Sequence, residues 1–226
     1  RLTERWRAER ETSPGDEWFT NVTAERGHHS RKGPAASAST AVNDWDFPEG
    51  WQPCSLDAVT NRITTGARDW SKYYGSGSGR FVMAQNVRPG LMDWSFQQLV
   101  DPPVDDASRE RSQIAKGDLL VTIVGANTGD VAPVLDDRPE CYVCQSVALA
   151  RPIDPDWSGY LNLWFNSIGH GQLYFRDCVS GAGRPHLRFD QLRAAPVVVP
   201  PAAEHGEVCS RCVWLRTGEP DHVSNR

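Results

Sequence analysis

The amino-acid sequence predicts an irregular α/β (α+β) domain, in which a twisted sheet carries long loops. Short runs rich in β-branched residues recur along the chain and end at glycine or proline, which is typical of strands. One longer segment, 159–171, has apolar residues three and four positions apart, as a helix with one buried face does. Polar stretches rich in glycine and serine separate these segments and predict loops.

The strands are predicted from four apolar segments, taken in chain order. Segment 80–84 is a short apolar run that follows a glycine-serine loop. Segment 118–124 is rich in β-branched residues and is bounded by Gly117 and Gly125. Segment 142–151 alternates enough to form a strand and stops at Pro152, and the three valines at 197–199 are predicted to close the sheet.

The best helix is predicted at 159–171, where Leu161, Trp164, Phe165 and Ile168 share one face. A second helix is predicted to begin at Glu204, shortly after two prolines, and to last about three turns before 217–220 ends it. These elements leave long loops between them, which suits a domain that presents loops to a groove.

Length and composition define the class of protein. A chain of 226 residues can bury one core of roughly 150 to 180 residues with flanking segments. No run approaches the roughly 18 apolar residues of a membrane span, and no signal peptide is recognisable, so we expect a cytoplasmic protein without membrane contact. The chain begins at Arg1 rather than methionine, and we therefore expect it to be part of a longer protein.

The net charge of −5 weighs against nucleic-acid binding, because such domains usually carry a basic surface. The charge is unevenly distributed, however. Segment 62–88 holds five basic residues and one acidic residue, whereas segment 101–140 holds four basic and nine acidic residues. This separation predicts that the basic stretch is left to face phosphates.

Three motifs occur in a fixed order along the chain. The first is Phe-Pro-Glu-Gly-Trp at 47–51, followed by Ser-Leu-Asp-Ala-Val at 55–59. The second, at 116–133, is Gly-Asp, an apolar strand and a glycine turn. The third, at 180–205, is a glycine loop, an amphipathic turn, a valine strand, Pro-Pro and a Glu-His pair. Together they resemble a target-recognition domain from the DNA-specificity subunit of type I restriction-modification systems, in which Gln is usual at the position of His205.

The resemblance implies a division of the chain and a function. Residues 1–11 would end the central spacer helix, 12–45 would be a linker, 46–203 the recognition domain, and 204–226 the start of a truncated second spacer helix. The chain would be a carboxy-terminal half, and we expect its shortened helix to weaken partner docking. The implied function is to read one half of a bipartite target in double-stranded DNA and to direct adenine methylation or cleavage by partner subunits.

The implied partners are the methyltransferase (modification) subunits and the restriction subunit, which is an ATP-dependent translocase and nuclease. The specificity subunit itself is not an enzyme and holds no cofactor. In agreement, the sequence has no methyltransferase or nuclease motif, no P-loop and no Gly-x-Ser-x-Gly.

Sequence-specific binding needs cations for phosphates and amides, arginines or threonines for base edges. Loop 66–80 joins three cations with interleaved aromatic residues, Gln85 and Asn86 follow a strand, 125–129 is a glycine turn, and 180–188 is a second cationic loop. Arg184 is the strongest candidate for a phosphate contact. The candidates are Arg68, Trp70, Lys72, Arg80, Gln85, Asn86, Asn127, Thr128, Arg184, His186 and Arg188.

Each of these segments also has a purely structural interpretation. Loop 66–80 could be an exposed loop with its aromatic rings packed on the core, Asn86 could satisfy a turn, and the glycines of 125–129 could serve the turn alone. Two wider alternatives also stay open. One is the recognition domain of a single-chain restriction-methylation enzyme with its catalytic part upstream of Arg1.

The other alternative is a zinc-bound interaction module, suggested by two Cys-x-x-Cys pairs at 141–144 and 209–212. With 64 residues between them, the pairs lie much further apart than the roughly 15 to 20 residues of zinc ribbons. The first pair also falls at the start of a predicted strand. Reduced thiols without a metal are therefore the favoured interpretation.

Overall fold

A computed structural model describes residues 47–104, 107–181 and 183–217, with side chains up to Cys212. The predicted spacer segment 1–11, the linker 12–45 and the last residues, 218–226, lie outside the described residues. Within the described part, the fold is mixed α/β, with several small open sheets and five helices.

The regular elements of the described residues are numbered here in chain order. The strands are β1 (Gln52–Ser55), β2 (Thr60–Thr65), β3 (Tyr74–Val82), β4 (Val87–Arg88), β5 (Leu91–Met92), β6 (Gln98–Val100), β7 (Leu119–Thr122), β8 (Val131–Pro133), β9 (Cys141–Val143), β10 (Val147–Pro152) and β11 (Pro196–Val199). The helices are α1 (Ala107–Ser112), α2 (Trp157–Asn166), α3 (Gly171–Cys178), α4 (Phe189–Arg193) and α5 (Ala202–Thr217). Short 3-10 turns cover Leu56–Val59, Trp70–Tyr73 and Ala84–Asn86.

The largest sheet has four antiparallel strands in the order β2-β10-β7-β8. Its centre is buried on both faces, because Leu119 and Val121 of β7 face one core while Leu120 faces a second. The predicted strand 118–124 is confirmed as β7. Gly117 and Gly125 flank it with φ of +87° and +113°, backbone conformations that glycine adopts without strain.

A second sheet, in the order β6-β3-β9, covers the other core. The predicted strand 80–84 is the end of the longer β3. Much of the predicted loop 66–80 is therefore strand or 3-10 turn, although the register of β3 shifts between Tyr74 and Gly79, so that residues 75–78 bulge out. Gly79 permits the tight pairing with β6, since an added Cβ would lie 2.7 Å from the carbonyl oxygen of Val100.

The prediction of one strand over 142–151 is wrong. The chain turns between Cys144 and Val147, where the Val147 amide donates to the Cys144 carbonyl at 3.1 Å. The two halves become β9 and β10 and enter different sheets. A polar pair, Gln145-Ser146, interrupts the apolar run at this turn.

The predicted helix 159–171 is two helices, α2 and α3. The chain leaves α2 at Ser167, whose hydroxyl donates to the Trp164 carbonyl at 2.7 Å. Leu161 and Phe165 are fully buried, as the pattern predicts. Ile168 is 80% exposed instead of buried, because it lies in the turn between the two helices.

The valine strand β11 does not close the main sheet. It pairs antiparallel with β1 in a separate two-stranded ribbon, so the start and the end of the domain lie side by side. The ribbon is held to α2, because the hydroxyl of Tyr160 donates to the Val198 carbonyl and the indole N–H of Trp164 donates to Pro196 at 2.8 Å.

The predicted helix at Glu204 is present as α5, which begins two residues earlier, at Ala202 directly after Pro200-Pro201, and extends for 16 residues instead of about three turns. Its first turn is anchored in the domain. The carboxylate of Glu204 accepts the indole N–H of Trp51 at 3.1 Å, and the ring of His205 stacks on Trp157 with 4.8 Å between centroids.

Because His205 is partly buried in the domain, we expect the protein to lose stability in mild acid. Burial lowers the pKa of His205 below its ordinary value of 6.5, while Asp154 and Asp156 partly oppose this shift. The unfolded chain therefore binds a proton more readily than the folded one, so stability is lost as pH falls through and below 6.5. The free energy of unfolding, measured in urea, should fall less between about pH 7.5 and about pH 5.5 for His205→Gln than for the wild type. Equal losses would contradict this role of His205.

Candidate DNA interface

Five segments meet at one edge of the two sheets, where β2, β3, β7 and β9 end and β10 begins. We call this surface the loop edge. Its segments are 66–69, 82–86, 123–129, 144–147 and 180–186, of which Ala182 lies outside the described residues.

The end of β2 is joined to the turn after β9. The Ala67 amide donates to the Val143 carbonyl at 3.0 Å, and the Cys144 amide donates to Val82 at 2.9 Å. Gly66 permits this approach, because an added Cβ would lie 1.9 Å from the carbonyl oxygen of Val143. Two segments far apart in the sequence, one near residue 66 and one near residue 144, thereby share one surface.

The other segments continue the same surface. The Ile123 amide donates to the Ser146 carbonyl at 2.9 Å, and the Gly125 amide donates to the Pro185 carbonyl at 2.9 Å. The hydroxyl of Thr128 lies 2.6 Å from the Gly125 carbonyl and 3.0 Å from that of Pro185. Thr128 therefore ties the glycine turn to the loop 180–186, which gives it a positioning role.

Helix α3 supports the glycine turn from behind. The side-chain amide of Gln172 donates to the carbonyls of Gly129, at 2.9 Å, and Phe165, at 2.8 Å. Asn127, at the tip of this turn, is partly exposed, and its carbonyl accepts the Asp130 amide at 3.0 Å. The turn thus holds Asn127 at the surface on a supported backbone.

The second cationic loop carries three exposed candidates. Arg184 is exposed, and exposed His186 has Nε2 at 3.2 Å from the hydroxyl of Ser180 across the base of the loop. Arg188 donates two hydrogen bonds, at 3.0 and 2.9 Å, to Asp190 and thereby lowers the pKa of that carboxyl group. Arg188 is therefore partly neutralised, whereas Arg184 has no ion-pair partner among the described residues.

The candidates from segment 66–86 are distributed over more than one surface. Arg68 and Gln85 are exposed on the loop edge. Lys72 lies in the 3-10 turn before β3, with its ammonium 4.9 Å from the ring centroid of Tyr73. Arg80 pairs with Cys141 at the start of β9, at the other end of that strand. Lys72 and Arg80 are therefore outside the loop edge.

Two candidates are buried, which corrects the sequence-based prediction. Trp70 is 2% exposed and packs against the rings of Phe81 and Tyr142, each with 5.5 Å between centroids. Its ring cannot stack on a base in this conformation.

Asn86 is also 2% exposed, and its amide group is engaged within the protein. Its oxygen accepts the Met83 amide, and its nitrogen donates to the carbonyls of Asp93 and Phe96, each at 2.8 Å. Asn86 therefore shapes the loop that presents Gln85 and is not itself available to a base.

The basic stretch 62–88 does not form one basic face, contrary to the prediction. Burial lowers the pKa of Arg62, and nearby Arg151 lowers it further. Arg88 lies close enough to Asp130 to oppose the rise that burial causes in the pKa of that carboxyl group. Of this stretch, Arg68 is the cation at the loop edge.

The two Cys-x-x-Cys pairs lie in different places. Cys141 begins β9 and Cys144 follows that strand, both buried in the core that the second sheet covers, whereas Cys209 and Cys212 face α2 from α5. Burial raises the pKa of Cys209 to about 12 and that of Cys212 to about 11. Among the described residues, no three His, Cys, Asp or Glu side chains are arranged to hold a metal ion.

Within the same described ranges, every helix is too short or too polar to cross a lipid bilayer.

The fold is similar to those of solved type I restriction-modification proteins. One structure, described for the complex assembly and conformational transition of the type I system, is 17% identical and superposes over 96% of this chain and 49% of its own, with a TM-score of 0.54. The HsdS subunit from Thermoanaerobacter tengcongensis is 16% identical and superposes over 90% of this chain and 43% of its own, with a TM-score of 0.51. The chain has the fold of one half of a type I specificity subunit.

At these identities the likeness establishes the fold, and the chain spans about half the length of the specificity-subunit structures that it matches. No sequence profile of a known family matches the chain. No curated protein matches it either.

Gln145 was not recognised from the sequence. It is exposed at the centre of the loop edge, in the turn that separates β9 from β10. The sequence signal was the polar pair Gln145-Ser146 inside an apolar run, which marks a turn rather than a continuous strand.

Proposed function

We propose that the chain recognises a specific DNA sequence as a specificity-subunit fragment of a type I restriction-modification complex. In this role it reads one half of a bipartite target and directs adenine methylation or cleavage by partner methyltransferase and restriction subunits. The observation that carries the proposal is the loop edge, where polar and cationic side chains from five separate segments share one surface of a specificity-subunit fold.

The chemistry of this surface matches the two parts of DNA recognition. Exposed Arg68 and Arg184 can neutralise phosphates, which supplies salt-dependent affinity. Exposed Gln85 and partly exposed Asn127 present amide groups that can bond base edges. The proposed contacts at this surface are Arg68, Gln85, Asn127, Arg184 and His186, with Lys72, Arg80 and Arg188 reaching phosphates at the periphery.

The overall charge of −5 does not oppose this proposal, since much of the acidic charge lies elsewhere. The carboxylate of Asp118 forms an ion pair with Arg151. Asp136 and Glu140 lie in the turn before β9, and this strand begins at its end away from the loop edge. A protein of net negative charge can bind DNA when its cations are concentrated at the contact surface.

The test is binding of the full chain to a library of random DNA duplexes over a series of salt concentrations, with sequencing of the retained duplexes. Fluorescence anisotropy on the same duplexes gives the affinity. Enrichment of one short half-site is the expected result. Steep salt dependence without enrichment would argue against sequence recognition by this chain, and absence of binding at low salt would argue against DNA recognition altogether.

Arg184→Ala should weaken DNA binding about tenfold and reduce the salt slope by about one, because one phosphate contact is lost. The half-site should stay the same, since phosphate contacts carry no direct sequence information. Arg211→Ala is the matched control, because Arg211 is an exposed arginine on α5 that pairs with Glu207. Equal effects of the two substitutions would contradict the placement of DNA at the loop edge.

A further inference from the structure

We propose that Gln145 is a base-reading residue of this domain and that it recognises an adenine through its side-chain amide. The inference rests on the proposed DNA recognition and adds a specificity-determining residue to it. It is carried by the position of Gln145, by the rigidity of the turn that presents it, and by the exposure of its side chain.

Gln145 occupies the middle of the loop edge. The turn 144–147 is bonded to three of the other four segments. The Ile123 amide donates to the Ser146 carbonyl at 2.9 Å, and the Gly66 amide donates to the Val147 carbonyl at 3.3 Å. The third bond runs from the Cys144 amide to the carbonyl of Val82, at the end of β3, at 2.9 Å. A ligand that covers the loop edge must therefore pass over this turn.

The turn is held rigidly. The Val147 amide closes it onto the Cys144 carbonyl at 3.1 Å. Cys144, which is only 5% exposed, lies buried beneath the turn, and the backbone amides of Ala84, Ser146 and Val147 oppose the rise that burial causes in the pKa of its thiol. Gln145 therefore stands on a backbone fixed from below, and a fixed backbone favours the directional hydrogen bonds that discriminate between bases.

The cations of the loop edge lie on either side of this turn. Arg68 follows Ala67, which bridges to Cys144, and Arg184 lies in the loop whose His186 bridges to Val124. Neighbouring segments in a sheet are about 4.8 Å apart, so this arrangement extends over roughly 15 Å. That width is comparable with the roughly 12 Å major groove, in which phosphates line the two sides and base edges lie between them.

The amide of Gln145 is chemically suited to this position. It is exposed and makes no side-chain hydrogen bond within the described part of the chain. A glutamine amide can donate to N7 and accept from N6 of one adenine, which is a bidentate contact. The neighbouring amide of Asn86 cannot do so, because its donors and acceptor are used inside the protein.

The experiment is selection from random duplexes with the full-length wild-type chain, Gln145→Ala, Gln145→Glu and Gln52→Ala. Gln52 is the matched control, because it is an exposed glutamine on the β1–β11 ribbon. We expect Gln145→Ala to lose roughly 5- to 100-fold of the preference at one adenine of the half-site, with the other positions and the salt slope unchanged. Gln145→Glu should shift that position towards cytosine, whose N4 amino group donates to a carboxylate.

The outcomes separate this inference from the proposed function. A wild-type half-site that Gln145→Ala leaves unchanged at every position would overturn the role of Gln145 and leave DNA recognition intact. A wild-type chain that enriches no sequence would overturn both. Thermal unfolding of the variants is the folding check, and their midpoints should match that of the wild type because the side chain is exposed.

Discussion

Gly66→Ala is expected to lower the free energy of unfolding by about 3 kcal/mol and to abolish DNA binding by the chain. The added Cβ would lie 1.9 Å from the carbonyl oxygen of Val143 and 2.3 Å from that of Cys144. Both contacts are with backbone atoms, so a change of side-chain rotamer cannot relieve them. The turn 144–147 would have to separate from β2, which would open the loop edge at its centre. Urea unfolding and anisotropy on the same preparation measure the two effects.

Gly206→Ala is the control for this substitution. Gly206 lies in α5, and an added Cβ there would meet no atom within 4 Å. Because alanine favours a helix more than glycine does, this variant should be more stable than the wild type by roughly 0.5 to 1 kcal/mol. If Gly66→Ala were as stable as Gly206→Ala, the close approach of β2 to the β9–β10 turn would be disproved.

Asp118→Asn is expected to destabilise the domain by about 3 kcal/mol, the lower end of the range for breaking a buried ion pair, because the Arg151 side chain is 35% exposed. The carboxylate is 1% exposed and accepts two hydrogen bonds from Arg151, at 2.7 and 2.8 Å. It also accepts the Ala115 amide at 2.6 Å. An asparagine would direct its NH₂ group at one of these donors and would leave the guanidinium of Arg151 without its counter-charge.

Asp190→Asn provides the comparison at an exposed site. The Arg188–Asp190 pair has a similar two-bond geometry, at 3.0 and 2.9 Å, but its side chains are 60% and 62% exposed. Solvent screening limits such a pair to less than about 1 kcal/mol. Denaturant unfolding should therefore show a loss of stability several-fold larger for Asp118→Asn than for Asp190→Asn. Similar losses of stability in the two variants would show that burial does not govern the strength of these ion pairs.

Elements with a strong local signal were predictable. Strand β7, between two glycines, and helix α5, after two prolines, were predicted because residues close in the sequence define them. The 3-10 turn Leu56–Val59 also follows from a local signal, since the hydroxyl of Ser55 accepts the Ala58 amide at its start.

Errors arose where long-range contacts decide the outcome. One apolar run became β9 and β10 because each half pairs with a different sheet. Trp70 was predicted as a DNA contact, but the rings of Phe81 and Tyr142 bury it. Its local neighbours are polar and glycine-rich, so nothing near Trp70 in the sequence indicates those partners.

The sequence by itself determined the class of fold, the order of the main elements and the resemblance to type I specificity subunits, because each depends on local patterns and their order. The tertiary structure decided which polar side chains share a surface. Gly66 meets Val143, and Gly125 meets Pro185, through backbone contacts between distant segments. Exposure and proximity depend on such contacts, which is why Gln145 emerged as a candidate base reader and Asn86 did not.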